Sequence, residues 1–143
     1  MSTGTNHMKK HTILWADDDP DDLIMFREIL RNIDHSYDII EVTNGKEAVE
    51  YLYNTEQASR HLCLIILDMN MPVMSGRDAL AVIKSEEDFK SIPVVVFTTS
   101  SSELDRMFCR RYGVEMLTKP PEFTTLTSIV QKLLSLCSAS NNN

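Results

Sequence analysis

Five short runs rich in Val, Ile and Leu punctuate this chain, and the stretches between them carry apolar residues three or four apart. Short apolar runs bounded by turn signals read as strands and a 3.6-residue period reads as amphipathic helix, so the alternation is a βα rhythm. The runs are Thr12 to Ala16, Tyr37 to Val42, Leu62 to Leu67, Ile92 to Phe97 and Val114 to Leu117. Two of them, LCLIIL and IPVVVF, hold almost no polar side chain, as strands covered on both faces of a parallel sheet do. Those two belong at the centre.

Around Pro20 to Asn32, the residues Leu23, Phe26, Leu30 and Ile33 recur at spacings of three and four and predict one buried stripe; Pro20 suits a first helical turn and Asp19 an N-cap. Further helices are expected near Asn44 to Tyr53, Ser75 to Ser85 and Ser101 to Tyr112, and from Thr124 to Cys137 before the polar tail SASNNN, which should fray. Five strands each followed by a helix predict right-handed crossovers and a doubly wound α/β sheet. With 143 residues and 43% apolar content the chain fits one domain, placed at residues 10–137 between a disordered leader (1–9) and a disordered tail (138–143).

Charge and hydropathy narrow the function. Lys plus Arg number 14 against 21 Asp plus Glu, a net charge of -7 that opposes binding to a nucleic-acid backbone. No apolar run approaches the roughly 20 residues of a membrane span, and MSTGTNHMKKHT lacks the hydrophobic stretch of a secretion signal. A cytoplasmic location is expected. Cys63, Cys109 and Cys137 show no C-x-x-C pair and read as reduced and unbridged, while His7, His11, His35 and His61 form no constellation.

Ligands of doubly wound sheets sit beyond the carboxyl ends of the strands. Just after the runs stand Asp17 and Asp18, then Asp68, Thr98 and Lys119, so one sheet edge collects three carboxylates, a hydroxyl and an ammonium. Carboxylates gathered there repel by ~4 kcal/mol per close pair at intermediate dielectric, which calls for a cation. Hard oxygen ligands favour Mg²⁺, which binds carboxylates together with phosphate oxygens. An Asp can take a phosphoryl group as aspartyl phosphate while the ion and Lys119 neutralise the transferring charge and Thr98 donates a hydrogen bond. Alone, DDDPDD reads as a capped, solvated helix start, the role assigned to Asp19, Asp21 and Asp22. The coincidence of four features at one edge gives the other acidic residues a second meaning.

The set ILWADDDP, LIILDMNMPVMSG, IPVVVFTTS and MLTKPP resembles the receiver domain of response regulators over about residues 10 to 137. That resemblance implies the flavodoxin-like receiver fold with strand order 2-1-3-4-5. It makes Asp68 the phosphoacceptor, Asp18 a direct Mg²⁺ ligand, Asp17 a ligand mainly through water, and Asn70 a ligand through its backbone carbonyl. Thr98 matches the switch hydroxyl and Lys119 the phosphoryl-pairing lysine, with a cis bond before Pro120. Pro72 and Gly76 suit the tight loop after Asp68, and Asn70 and Ser100 occupy positions resembling rate-tuning sites. Met116 stands where many receivers have an aromatic residue, and reads as core filler. The stretch YLYNTEQASRHL, the FTTSS run and the lack of an output domain resemble small receivers serving phytochrome-type and other hybrid kinases.

The resemblance thus implies a single-domain switch that takes a phosphoryl group from a sensor histidine kinase or phosphotransfer protein. Such a switch would catalyse only its own phosphorylation and dephosphorylation, and would signal to a downstream protein as a monomer or weak homodimer. The fourth helix, carrying Phe108, Arg110 and Tyr112, would form the interaction face with the fifth strand and helix. Three rival readings suit parts of the same pattern. A degenerate receiver scaffold would lack some key positions, yet all are filled. A haloacid-dehalogenase-type phosphatase needs a second Asp where Asn70 stands, and an FMN binder would meet a repulsive DDDPDD loop.

Overall fold

A computed structural model describes residues 11–34, 36–54 and 62–141. The expected leader and most of the YLYNTEQASRHL stretch lie outside the described residues. The elements are β1 (His11–Ala16), α1 (Pro20–Ile33), β2 (Tyr37–Val42), α2 (Gly45–Asn54), β3 (Leu62–Leu67), α3 (Gly76–Ser85), β4 (Val94–Thr98), α4 (Glu103–Arg111), β5 (Glu115–Thr118) and α5 (Phe123–Asn141). All strand pairs are parallel, in the order β2-β1-β3-β4-β5.

Strand period decides which helix lies on which face. Leu14, Ala16, Ile65, Leu67, Val94 and Val96 point to one side, against Ala48 and Leu52 of α2, Leu80 and Ile83 of α3 and Cys109 of α4. Ile13, Trp15, Leu64, Ile66, Val95 and Phe97 point to the other, against Phe26 and Leu30 of α1 and Val130 and Leu133 of α5. Each side chain of β3 and β4 is buried, as their lack of polar residues predicts. Asp19 caps α1 by accepting from the Asp21 amide at 3.0 Å, and Pro20 opens the helix.

Several expectations need correction. β4 begins at Val94 rather than Ile92, because Pro93 has no N–H to give the ladder and supplies only its carbonyl to the Ile65 amide. At its other end β4 includes Thr98, which pairs with Thr118 of β5, so Thr98 is the last residue of the strand and not the first beyond it. α5 continues to Asn141, into the tail for which fraying is the sequence expectation; Ser and Ala cost little in a helix. Cys63 and Cys137 are joined as a disulfide, with Cα atoms 4.8 Å apart, against the expectation of free thiols. Their separation of 74 residues hides the contact, which arises because α5 packs across β3. Finally, no cis peptide bond occurs among the described residues, so Lys119–Pro120 is trans. Lys119 reaches its partners without the cis form, which before proline is disfavoured by about 0.5–1 kcal/mol.

Candidate functional site

Parallel strands bring their carboxyl ends to one edge. β1 delivers Asp17 and Asp18, and the Asp68 amide donates to the Ala16 carbonyl at 3.0 Å, seating Asp68 beside them. Carboxylate oxygens of Asp17, Asp18 and Asp68 all lie within 4.8 Å of one another. Asp17 is 1% exposed and Asp68 7%, whereas Asp18 faces solvent.

Lys119 enters this group from the end of β5. Its backbone amide donates to the Thr98 carbonyl at 2.8 Å, and its ammonium lies 2.7 Å from Asp17 Oδ2, 2.8 Å from Asp22 Oδ2 and 3.0 Å from Asp68 Oδ2. Burial by itself would lower the lysine pKa. Hydrogen bonds to Asp17 and Asp22 and the charges of Asp68 and Asp17 outweigh that effect and hold the ammonium well above its ordinary range. For Asp17 burial wins in the other direction, pushing its carboxyl up despite Lys119 and the Asp19 amide. Asp17 Oδ2 has Lys119 at 2.7 Å and no further partner among the described residues, leaving a buried oxygen with a lone pair to spare.

These residues fit a divalent cation. The donors are all oxygen, one carboxylate is open to solvent for water-bearing coordination, and a buried oxygen is not otherwise satisfied. Asn70 lies on the loop just past Asp68, and its amide makes a long 3.4 Å contact to Asp68 Oδ1. Thr98 is fully buried, and its Oγ1 accepts from the Ser100 amide at 3.2 Å.

A model of the response regulator receiver domain matches residues 13–131. The chain belongs to this family. It is 34% identical over 138 residues to the response regulator Rcp1 of Synechocystis, covering 94% of this chain and 92% of that protein. Among solved structures, it superposes on the phosphorylated cyanobacterial phytochrome response regulator RcpA with TM-score 0.79 and 32% identity, covering 86% of this chain and 90% of that one. The Mn²⁺-bound form of Rcp1 gives 0.78 and 33%, covering 87% and 92%. Receivers of this family work in two-component phosphorelay signalling, take phosphoryl groups from histidine kinases or phosphotransfer proteins, and bind a divalent metal.

Two features of this receiver's site escaped the sequence reading. Asp22 belongs to the Lys119 cluster, not only to the solvated start of α1; its place in the first turn of the helix that follows Asp17 and Asp18 is the available signal. A third buried carboxylate, Asp105, accepts from Ser100 and from Arg77. Arg77 and Asp105 stand on different helices, so no spacing rule finds that pair. Of the helix residues proposed for an interaction face, Phe108 and Tyr112 pack edge to face and are partly buried against the core, while Arg110 is exposed.

Proposed function

We propose that this receiver accepts a phosphoryl group on Asp68 in a Mg²⁺-dependent reaction and thereby switches a partner-binding surface. The observation that carries this is the meeting of Lys119 with Asp68 at 3.0 Å beside the acidic pair Asp17 and Asp18. A carboxylate oxygen of Asp68 attacks phosphorus as the bond to the donor's imidazole nitrogen breaks. Asp18 would hold Mg²⁺ directly, Asp17 mainly through water, Asp68 through its carboxylate and Asn70 through its backbone carbonyl. When bound, the ion neutralises the carboxylates and the developing charge on the phosphoryl oxygens. Lys119 shares that work as a preplaced ammonium. Since the Ser100 amide uses an acceptor position of Thr98 Oγ1, the hydroxyl proton stays available to a phosphoryl oxygen.

The donor is a sensor histidine kinase or phosphotransfer protein, and the likeness to cyanobacterial phytochrome response regulators favours a phytochrome-type kinase. The readout is a downstream protein meeting α4, β5 and α5, where the added charge of about -2 biases a two-state surface. Its chemistry is confined to its own phosphorylation and dephosphorylation, as a cytoplasmic monomer or weak homodimer. No helix among the described residues is long and apolar enough to cross a membrane. Incubation with acetyl phosphate and Mg²⁺ should add one phosphoryl mass, lost in Asp68→Asn; a gain that survives this substitution refutes the assignment.

A further inference from the structure

Asp105 is one of four polar residues buried in the described structure, with Asp17, Asp68 and Thr98, and the phosphoryl chemistry above does not use it. Its two oxygens serve different segments, the start of α3 and the loop after β4. Oδ2 accepts from Ser100 Oγ at 2.7 Å, and Oδ1 accepts from Arg77 Nη2. Ser100 in turn sets the surroundings of Thr98, because its amide donates to Thr98 Oγ1. Arg77 follows Gly76, which lies directly against the Asp68 backbone, and its guanidinium also stacks over Phe108 at 5.4 Å. One carboxylate thus ties the first turn of α3, which packs against Asp68, to the loop behind Thr98.

Burying a charge at this spot costs stability that an apolar residue would not cost, and a tie between α3 and α4 could be made by packing alone. What a carboxylate adds is direction, since it offers two acceptor oxygens at fixed geometry. Asp105 is itself held in place. It lies in the first turn of α4, where negative charge is favoured, and its amide donates to the Ser102 hydroxyl that caps the helix. Ser100 Oγ accepts from the Ser102 amide as well, so the serine hydroxyl has a single orientation that points its proton at Asp105.

We infer that Asp105 is a positioning residue for the phosphoryl switch, fixing through Ser100 the place and direction of the Thr98 hydroxyl. This rests on the phosphoacceptor reading and adds a residue to it. Thr98 is not among the candidate metal ligands, so Asp105 governs affinity for the phosphoryl group and not for the ion.

The test uses beryllofluoride as the phosphoryl probe, with Mg²⁺ titrated separately. Binding is followed by calorimetry and by the fluorescence of Trp15, the single tryptophan, which lines a small cavity with Asp22 and Lys119. Ser100→Ala and Asp105→Ala should each weaken beryllofluoride binding about five-fold, the worth of one ordinary hydrogen bond, with Mg²⁺ affinity unchanged. Asp105→Asn keeps an oxygen for Ser100 and should restore most of the affinity, and the double Ser100→Ala/Asp105→Ala variant should be no weaker than either single one. If Asp105→Ala does not fold, Ser100→Ala decides alone. A folded Ser100→Ala with undiminished beryllofluoride affinity, or a parallel loss of Mg²⁺ affinity, overturns the inference. Wild-type protein that takes Mg²⁺ but no beryllofluoride removes the phosphoacceptor reading itself.

Discussion

Gly76 touches Asp68 so closely that a Cβ built on it would stand 1.9 Å from the Asp68 carbonyl oxygen and 2.8 Å from the carbonyl carbon. Both atoms are backbone, so no rotamer change relieves the clash. Gly76→Ala should cost about 3 kcal/mol, the upper end for overpacking a rigid site, seen as a lower urea midpoint. Gly113 offers a control, because its φ of +68° is strained for other residues but nothing lies within 4 Å of its Cβ position. Gly113→Ala should cost only about 1 kcal/mol. Equal losses at the two positions contradict this account.

Val73 occupies the same loop with φ of 66° and is 78% exposed. The Met74 amide donates to the Pro72 carbonyl at 2.6 Å, which makes Val73 the centre of a three-residue γ-turn. A β-branched residue is poorly suited to positive φ, and its side chain gains no burial in return. Val73→Asn should therefore stabilise the protein by about 1 kcal/mol in chemical denaturation. Val73→Gly should gain less, since glycine adds entropy to the unfolded chain.

The parts of the site that the sequence exposed are those that topology fixes. Strand ends in a parallel sheet share an edge, so Asp17, Asp18, Asp68 and Lys119 meet because each follows an apolar run, and Thr98 stands beside them through its carbonyl, which accepts from the Lys119 amide. Contacts that depend on the path of a side chain between helices left no such trace. Asp22 looked like a helix-start acid because the capping explanation is sufficient for it. Val73 looked unremarkable because nothing in a Val codes for positive φ, and only the neighbouring Pro72 and Gly76 announced a tight loop.

Cysteine pairing is equally invisible in spacing, and it can be counted. Under denaturing conditions without reductant, thiol titration should find one reactive group, Cys109, and three after reduction. Three thiols in unreduced protein would show that the Cys63–Cys137 pair is not bonded.

Asp18 is the acidic member most open to solvent, and its oxygen shares the 4.8 Å group with Asp17 and Asp68. Repulsion at an exposed site is screened, so Asp18→Asn should raise stability in metal-free buffer by only about 1 kcal/mol. Binding to the folded state alone raises its stability, and millimolar Mg²⁺ should increase the wild-type Tm. Asp18→Asn should lose most of that increase. A variant that keeps the full Mg²⁺ response removes Asp18 from the proposed ligand set.

Lys119 and Asp17 place pH signatures of the same sign on the fold, one in the acid range and one in the alkaline range. For Asp17, burial raises the carboxyl above 3.8 in the folded state, so stability is gained as pH falls through the raised value toward 3.8. For Lys119, burial opposes the charge but hydrogen bonds to Asp17 and Asp22 overcome it, and the folded state holds the proton more tightly than the unfolded chain. Its contribution is complete below the ordinary value of 10.5 and is lost as pH rises from there through the folded value. Lys119→Met removes the ammonium from three carboxylates and should cost about 3 kcal/mol near neutrality, as breaking a buried pair does. The stability difference between wild type and Lys119→Met, measured by denaturant titration across the alkaline range, should stay level up to 10.5 and then shrink. A difference that begins to fall well below that pH would mean that Lys119 is not held as a charged partner of Asp17, Asp22 and Asp68.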